Sequence, residues 1–204
     1  MIRYLATLAI GFSLTGCATM DREECQLADW RSIGYEDGAK GQPLSYLGNH
    51  RKACAEHGVT PDMERYEEGR LAGLKEYCTP RNGFQLGKAG HKLKAVCMPP
   101  LAEEFRQAWS HGTEIYTART QLQNSERKVK KQEKVIEKLQ KEIKETEADL
   151  VKDGLSSKQR KSLLEDLKVL SFDLEEAESE LLILQDRIDE DLDRLERIEN
   201  RYHY

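Results

Sequence analysis

The chain has 204 residues, of which 34% are charged and 38% hydrophobic, and its formal net charge is −5. A chain this short and this charged cannot bury one large hydrophobic core, so we expect a small compact domain joined to an extended element. The negative balance argues against nucleic acid as a partner, because nucleic-acid binding depends on basic patches.

Residues 1–16 have the features of a secretory signal peptide. Arg3 supplies a positive charge, and a largely apolar run of eleven residues follows, which is too short to span a membrane. The junction at residues 14–17, Leu-Thr-Gly-Cys, resembles a bacterial lipobox, in which the cysteine carries the lipid and becomes the mature N-terminus. This resemblance predicts lipidation at Cys17, followed by a short linker over residues 17–24. An ordinary signal peptide with a chance cysteine is the alternative.

The predicted location of the protein is the cell envelope. Several acyl chains hold a protein at a membrane because each buried methylene contributes about 0.8 kcal/mol and one chain alone binds only marginally. No other stretch of the sequence has the apolar length of a membrane span, so we expect an anchor of lipid alone. Ala18 stands where lipoproteins retained at the inner membrane commonly have Asp. Resemblance to Gram-negative lipoproteins therefore implies the inner leaflet of the outer membrane, facing the periplasm.

Four cysteines lie in the predicted head, residues 25–100, and an even number in an exported chain implies disulfides. Three pairings are possible. We prefer Cys25–Cys54 with Cys78–Cys97, since sequence neighbours in a small domain tend to be spatial neighbours. A zinc site is the alternative, but no two cysteines have metal-ligand spacing. We therefore expect no metal and no cofactor.

Glycines recur at steps of three and four in the head. Residues 34–41 and 83–90 share the pattern Gly-aromatic-x-x-Gly-x-x-Gly, and residues 66–73 contain the same four-residue glycine step. Such steps lie along one helical face, so they predict short helices that approach closely over bare backbone. Glycine turns between short strands, with period two over residues 33–37, are the alternative. Large aromatic residues are expected to fill the gaps around the crossings: Trp30, Tyr66, Tyr77 and Phe84.

No catalytic residue is predicted. Gly87-Lys88 is followed by Ala89, where a Walker loop needs Ser or Thr to reach magnesium. The five histidines are interpreted as surface or capping residues: His50, His57, His91, His111 and His203. Four acidic residues are interpreted as helix-start or surface residues, with a carboxylate pair as the alternative: Asp29, Glu36, Asp37 and Asp62. We expect no enzymatic activity and no small-molecule substrate. An enzyme with its site in the head is a weaker alternative.

Residues 101–204 have the pattern of two long helical arms. Mostly apolar residues recur at alternating steps of four and three, an average period of 3.5 residues that is typical of a coiled-coil seam. In the first arm, residues 101–152, the seam positions are Ile115, Ala118, Leu122, Ser125, Val129, Gln132, Ile136, Leu139, Ile143, Thr146 and Leu150. In the second arm, residues 158–204, they are Leu163, Leu167, Leu170, Leu174, Ala177, Leu181, Leu184, Ile188, Asp191, Leu195, Ile198 and Tyr202. The polar members weaken the seam without breaking its phase.

The arms are predicted to fold back on each other as an antiparallel hairpin. The loop at residues 153–157 is short, as antiparallel neighbours require. It contains Gly154 as a helix stop and Ser156 as the start of a capping box with Gln159. We expect Val129 to lie beside Leu184. A parallel homodimer through each arm separately is the alternative.

Charge supports the same pairing. Residues 126–145 carry eight basic and five acidic residues, a net charge of +3, whereas residues 168–187 carry two basic and six acidic, a net charge of −4. Opposite charges that flank a seam favour one partner and one orientation, although each exposed pair contributes only about 0.2–1 kcal/mol.

The head resembles the DUF2799 family of proteobacterial lipoproteins over residues 21–100. The resemblance rests on one ordered set: Cys25, Asp29, Trp30, Ile33, Gly34, Tyr35, Asp37, Gly38, Gly41, Cys54, Pro61, Asp62, Tyr66, Gly69, Arg70, Gly73, Leu74, Tyr77, Cys78, Asn82, Gly83, Gly87, Gly90, Val96 and Cys97. Since the family has no known function, the resemblance implies an envelope address and paired cysteines but no mechanism. The coiled coil lies outside the matching region.

The sequence as a whole predicts an all-α protein with a disulfide-braced, glycine-rich helical head and a long antiparallel coiled-coil hairpin. We expect a structural or interaction lipoprotein without catalysis, with a protein partner or self-association through the coiled coil. The alternative is a regulator that holds or activates a cell-wall hydrolase through the hairpin. Phe105, Trp109 and Tyr116 are expected to dock the first arm onto the head. Candidate interaction residues lie off the seam: Leu182, Ile183 and Leu192.

Overall fold

A computed structural model of the chain describes residues 20–204, and the predicted signal peptide and Cys17 lie outside them. Within this range the chain forms helices and connecting turns and no strand, which confirms the all-α prediction over the strand alternative. The helices are α1 (Arg22–Gln26), α2 (Trp30–Ala39), α3 (Leu47–Ala55), α4 (Met63–Tyr77), α5 (Pro80–Lys88), α6 (Leu101–Leu150) and α7 (Ser157–Arg201), with a 3₁₀ turn at Leu44–Tyr46.

The described residues form two compact units. The first runs to Cys78 and includes Lys94–Met98, and the second consists of Thr79–Leu93 with Pro99–Tyr204. The segment predicted as the head, residues 25–100, is therefore divided between the units, because α5 packs on the long helix α6. In the first unit the core gathers around the Cys25–Cys54 bridge: Met20, Cys25, Trp30, Leu47, Cys54 and Tyr66.

Side-chain caps fix where several of the short helices begin. Asp29 accepts a hydrogen bond from the Arg31 N–H at the start of α2, and Asp62 accepts one from the Arg65 N–H at the start of α4. These bonds satisfy backbone donors that have no partner within the helix. The interpretation of both aspartates as helix-start residues is confirmed.

Helices α2 and α4 cross at backbone distance and form what we call the first glycine pair. A Cβ at Gly34 would lie 2.0 Å from the Tyr66 carbonyl oxygen, and one at Gly38 would lie 2.2 Å from the Arg70 carbonyl oxygen. Real Cβ atoms do not approach backbone this closely, so only glycine permits the crossing. The contacted residue numbers rise together on both helices, which shows that the two run parallel.

Helices α5 and α6 form the second glycine pair in the same way. A Cβ at Gly87 would lie 2.1 Å from the Trp109 carbonyl oxygen, and one at Gly112 would lie 2.1 Å from the Phe84 carbonyl oxygen. These contacts involve the first turns of α6, where Phe105 is buried. The aromatic residues expected to dock the first arm thus contact α5, within the second unit.

The two glycine pairs are copies of one arrangement. After α2, Gly41 has φ +65°, and a Cβ there would strike the Tyr77 ring; after α5, Gly90 has φ +76°, and a Cβ there would strike the Tyr116 ring. A positive φ is costly for residues other than glycine. The repeat predicted for residues 34–41 and 83–90 therefore extends to the second helix of each pair.

Equivalent hydrogen bonds follow both positive-φ glycines. Arg70 Nε donates to the Gln42 carbonyl oxygen at 2.8 Å in the first pair, and Trp109 Nε1 donates to the His91 carbonyl oxygen at 2.9 Å in the second. In both copies a side chain of the second helix thus fixes the chain just after the first helix ends.

Helices α6 and α7 form the antiparallel hairpin that the sequence predicts. Cross-helix hydrogen bonds join Arg119 to Glu199, Ser125 to Asp191, Gln132 to the Ala177 carbonyl, and Arg160 to the Leu150 carbonyl. Residue numbers fall on α7 as they rise on α6, so the helices run in opposite directions. The Ser125 and Gln132 contacts bracket the predicted pairing of Val129 with Leu184.

The predicted seam coincides with the burial pattern. Every seam position predicted for either arm is buried or half-buried, whereas their neighbours along α7 between residues 161 and 198 are exposed. The turn is also as predicted, because Gly154 has φ +81° and Ser156 with Gln159 forms a capping box. The cross-arm ion pairs Arg119–Glu199 and Arg201–Glu114 lie near the end of the hairpin away from this turn.

Candidate functional site

Both disulfides of the preferred pairing are present. Cys25–Cys54 has a Cα–Cα distance of 5.5 Å and Cys78–Cys97 one of 5.6 Å, which are usual for bridged cysteines. Each bridge joins a residue that precedes a glycine pair's first helix, Cys25 in α1 or Cys78 at the end of α4, to the connection between that pair's two helices. Since all four sulfurs are bonded to one another in pairs, these cysteines do not ligate zinc.

A buried polar cluster lies between α2, α3 and α4. Asp37 Oδ2 accepts a hydrogen bond from the Tyr66 hydroxyl at 2.8 Å and lies 2.7 Å from His50 Nε2. His50 is 7% exposed, and Asp37 and Tyr66 are also buried. The interpretations of His50 as a surface or capping residue and of Asp37 as a helix-start or surface residue are therefore wrong. Tertiary packing brings Asp37 together with His50, which is 13 residues away in sequence, and with Tyr66, which is 29 residues away.

Two features of this cluster bear on its chemistry. Burial raises the pKa of Tyr66 well above its ordinary value, and the hydrogen bond to Asp37 raises it further. Tyr66 is therefore a hydrogen-bond donor at physiological pH. The other ring nitrogen of His50, Nδ1, is buried and has no hydrogen-bond partner within residues 20–204. An unsatisfied buried polar atom costs about 1–3 kcal/mol.

The second glycine pair makes the same crossing without these polar groups. Leu86 and Phe105 occupy the positions that correspond to Asp37 and Tyr66, and Phe105 is fully buried at the crossing. Parallel helix packing over glycine therefore does not require the carboxylate or the hydroxyl. The polar cluster is a property of the first pair alone and needs a separate explanation.

An open cavity of about 570 Å³ adjoins the cluster. Asp37 and His50 line it together with apolar residues of the N-terminal segment and α2, among them Met20, Leu27 and Ile33. Its remaining lining is mostly charged: Glu23, Glu24, Ser32, Glu36 and Lys40. Small-molecule sites in proteins commonly have volumes of about 300–1,000 Å³ and this mixture of apolar and polar lining.

Aromatic residues pack the C-terminus against α5 and α6 in the second unit. His111 stacks on Tyr202 with ring centroids 4.1 Å apart, and its Nδ1 lies 2.6 Å from the Tyr204 hydroxyl. Tyr204 in turn stacks on Phe84 of α5. His111, predicted as a surface or capping residue, is half-buried and helps to join the C-terminus to α5 and α6.

The outward face of α7 carries large apolar side chains that no other described element covers. Leu182 is 64% exposed, Ile183 65% and Leu192 47%, as their off-seam positions predict. Phe172, at 66%, and Val169, at 60%, belong to the same exposed set and were not predicted. The exposure of both could have been predicted, because both lie off the α7 seam.

The charge around this face is strongly acidic. Phe172, Leu182 and Ile183 project from the side of α7 opposite the seam, given 100° per residue, and we call these three residues the α7 patch. The surrounding residues 168–187 have the net charge of −4 noted above. The patch therefore combines apolar anchors with a negative rim. None of the helices in residues 20–204 is long and apolar enough to cross a membrane.

These features define a disulfide-braced helical protein with two glycine pairs and a coiled-coil hairpin. Residues 29–114 match the model of the DUF2799 family, described as a protein of unknown function. The match confirms the family resemblance, and residues 115–204 lie outside it. It runs from the N-cap of α2 into α6, so it covers both glycine pairs instead of ending near residue 100. No curated protein and no solved structure matches the chain.

Proposed function

We propose that this protein is a lipid-anchored component of the bacterial cell envelope whose hairpin presents the α7 patch to a partner protein. The proposed anchor is Cys17, at the inner leaflet of the outer membrane. The role is one of binding, without catalysis. The observation that carries the proposal is the α7 patch, because three apolar side chains, each about two-thirds exposed, project from one side of a long helix, whereas the exposed apolar residues that are normal on a surface are scattered singly.

Charge indicates what kind of partner fits. A basic amphipathic helix would place its apolar side chains on the patch and its Lys or Arg residues beside the acidic rim, as helices do in grooves and coiled coils. Two α7 patches facing each other would bring two stretches of net charge −4 together. Helix α6 of a second copy has the opposite charge, but among residues 126–145 its one large exposed apolar side chain is Val135.

Site-specific photocrosslinking in cells tests this surface. The photoreactive amino acid p-benzoylphenylalanine is placed at Phe172 or Ile183, with the exposed residue Lys131 of α6 as the control position. We expect one partner protein to crosslink from both patch positions and not from the control. Recovery of a cell-wall hydrolase would identify the protein as that enzyme's regulator. Adducts of this chain alone, or the same adducts from Lys131, would contradict the proposal.

The anchor has its own test. Cells labelled with a palmitate analogue should incorporate the label into this protein, and Cys17→Ser should abolish both the labelling and the recovery in outer-membrane fractions. Cys25→Ser with Cys54→Ser serves as the control, because it removes a structural disulfide and leaves the proposed lipidation site. Labelling that survives Cys17→Ser would contradict the proposed anchor.

A further inference from the structure

The face of α6 that points away from α7 is strongly basic over residues 127–145. Its heptad positions b, c and f lie two residues from the seam and project outward, given 100° per residue. All nine of these positions are exposed, and they carry seven basic and two acidic residues, a net charge of +5. We call the seven basic residues the α6 basic face: Arg127, Lys130, Lys131, Lys134, Lys138, Lys141 and Lys144.

The hairpin does not use this positive charge. Positions e and g, which flank the seam, have a net charge of −2 in residues 126–145 of α6 and also of −2 in residues 168–187 of α7. Among residues 20–204, no ion pair joins residues 126–145 to α7, and the cross-arm pairs lie further from the turn, at Arg119–Glu199 and Arg201–Glu114. The positive charge of the first arm therefore faces away from the second arm, and the pairing of the arms does not explain it.

Concentrating these charges on one face has a cost. Like charges four residues apart on a helix repel each other, as Arg127 and Lys131 do. In the part of the chain that the structure describes, only Lys138 and Lys141 of the basic face have an acidic partner, a glutamate four residues further along at 3.4 and 3.7 Å. An anionic partner would relieve this repulsion, so the face favours a surface of negative charge.

The composition of the face favours a membrane surface over a protein. Val135, beside the face, is the one large exposed apolar side chain in residues 126–145, so a protein partner would find no apolar cluster to bury. The acidic α7 of a second copy would make contact between two different edges of the hairpin, which does not close on itself and builds filaments. Lipid phosphates require only charge, and four to eight Lys or Arg residues on one helix are typical of binding to anionic lipid.

We propose that the α6 basic face lies on a membrane surface that contains anionic phospholipid. Residues 127–144 extend over about 25 Å at the helical rise per residue, so several lysines contact headgroups at once. A basic patch and an acyl anchor strengthen membrane binding together, and in this respect the choice of a membrane rests on the proposed anchor at Cys17. The α7 patch is on the opposite edge of the hairpin and stays free to bind its partner.

Vesicle binding by unlipidated protein tests the proposal. Residues 17–204 carrying Cys17→Ser, with both disulfides intact, are floated with vesicles of phosphatidylcholine alone or with one-third phosphatidylglycerol. We expect binding to the phosphatidylglycerol vesicles to be at least about tenfold tighter, and to weaken at least about tenfold as salt rises from about 0.05 M to about 0.5 M. Equal binding to both vesicles, or to neither, would overturn the proposal. Because this protein carries no lipid, that failure would leave the tests of the Cys17 anchor and the α7 patch unaffected.

A triple variant locates the binding charge on α6. Lys130→Gln, Lys131→Gln and Lys134→Gln change exposed residues, so the fold should persist, as far-UV circular dichroism will show. Each basic residue strengthens binding to an anionic membrane about fivefold. We therefore expect the triple variant to bind the phosphatidylglycerol vesicles at least about tenfold more weakly, and undiminished binding would refute the α6 basic face.

The matched control removes the same charge from the opposite edge. Lys158→Gln, Lys161→Gln and Lys168→Gln change exposed residues at outward positions of α7, and the affinity should change by less than about threefold. Equal losses in the two variants would show that net charge alone governs binding and would contradict the proposal. Two further results would also overturn it. Self-association at low salt without vesicle binding would assign the face to a second copy, and binding to polyphosphate without vesicle binding would assign it to a soluble polyanion.

Discussion

Substituting Gly34 by alanine should destabilise the first unit, although alanine is the better helix former. The added Cβ would meet the Tyr66 carbonyl oxygen at 2.0 Å, and contacts under 3.0 Å essentially do not occur, so the helices must separate by about 1 Å. The obstacle is backbone, which cannot rotate away as a flexible side chain would. Overpacking costs about 1–3 kcal/mol, whereas alanine adds about 1 kcal/mol of helix propensity. We expect a net loss of about 1 kcal/mol, the midpoint of the overpacking cost less the gain in propensity.

Gly48→Ala is the matched control. Gly48 also lies in a helix, α3, but nothing stands within 4 Å of a Cβ at that position. Only the propensity effect remains there, so we expect a gain of up to about 1 kcal/mol. The two variants should therefore differ by the overpacking cost, about 1–3 kcal/mol in the free energy of unfolding.

Urea unfolding with the disulfides intact measures this difference. Trp30 is the buried tryptophan of α2, and a Trp109→Phe background leaves it as the only tryptophan in the chain. Fluorescence in that background reports unfolding of the first unit alone. If Gly34→Ala proved as stable as Gly48→Ala, or more stable, the close crossing of α2 and α4 would be incorrect.

Three further changes have defined outcomes. Ser125→Ala should cost about 1–3 kcal/mol, since it leaves the buried Asp191 carboxylate without its 2.6 Å donor, and adding Asp191→Leu should recover most of the loss in thermal melts. Stability should fall as pH rises above about 10, because unfolded tyrosines ionise there while Tyr66, whose pKa is raised by burial, stays protonated in the folded state. Tyr66→Phe should flatten this fall in stability, and an unchanged slope would refute the contribution of Tyr66. Gly154 has φ +81°, so Gly154→Ala should destabilise the hairpin by about 1–2 kcal/mol and thereby lower its melting temperature. An unchanged melting temperature would contradict the assigned turn.

The repeating elements could be predicted from the sequence because each obeys a local rule. A 3.5-residue period fixes which side of α7 faces α6, and the capping box at Ser156 marks where α7 begins. Three of the polar seam members that appeared as weaknesses make contacts across the helices, since Ser125 donates to Asp191 and Gln132 donates to the Ala177 carbonyl. Their spacing was predictable, whereas their pairing depended on the register between two helices.

The buried cluster could not be predicted, because no local pattern marks it. Aspartate and histidine in polar sequence are usually exposed, and nothing near His50 indicates that a carboxylate and a tyrosine from two other helices surround it. The second glycine pair was missed in part for a related reason. Gly112 lies in a stretch of α6 that looks like the start of a coiled coil, and its role appears only once α5 packs against it.

A distance within one molecule tests the hairpin most directly. Spin labels are attached to cysteines replacing the exposed residues Lys128 and Gln185, and the labelled chain is diluted in a large excess of unlabelled protein. Packed helices lie about 8–10 Å apart, so the folded-back arms predict a label separation of no more than about 20 Å that persists on dilution. A separation several times larger, or a short distance that disappears on dilution, would show that the arms pair between molecules and would contradict the hairpin.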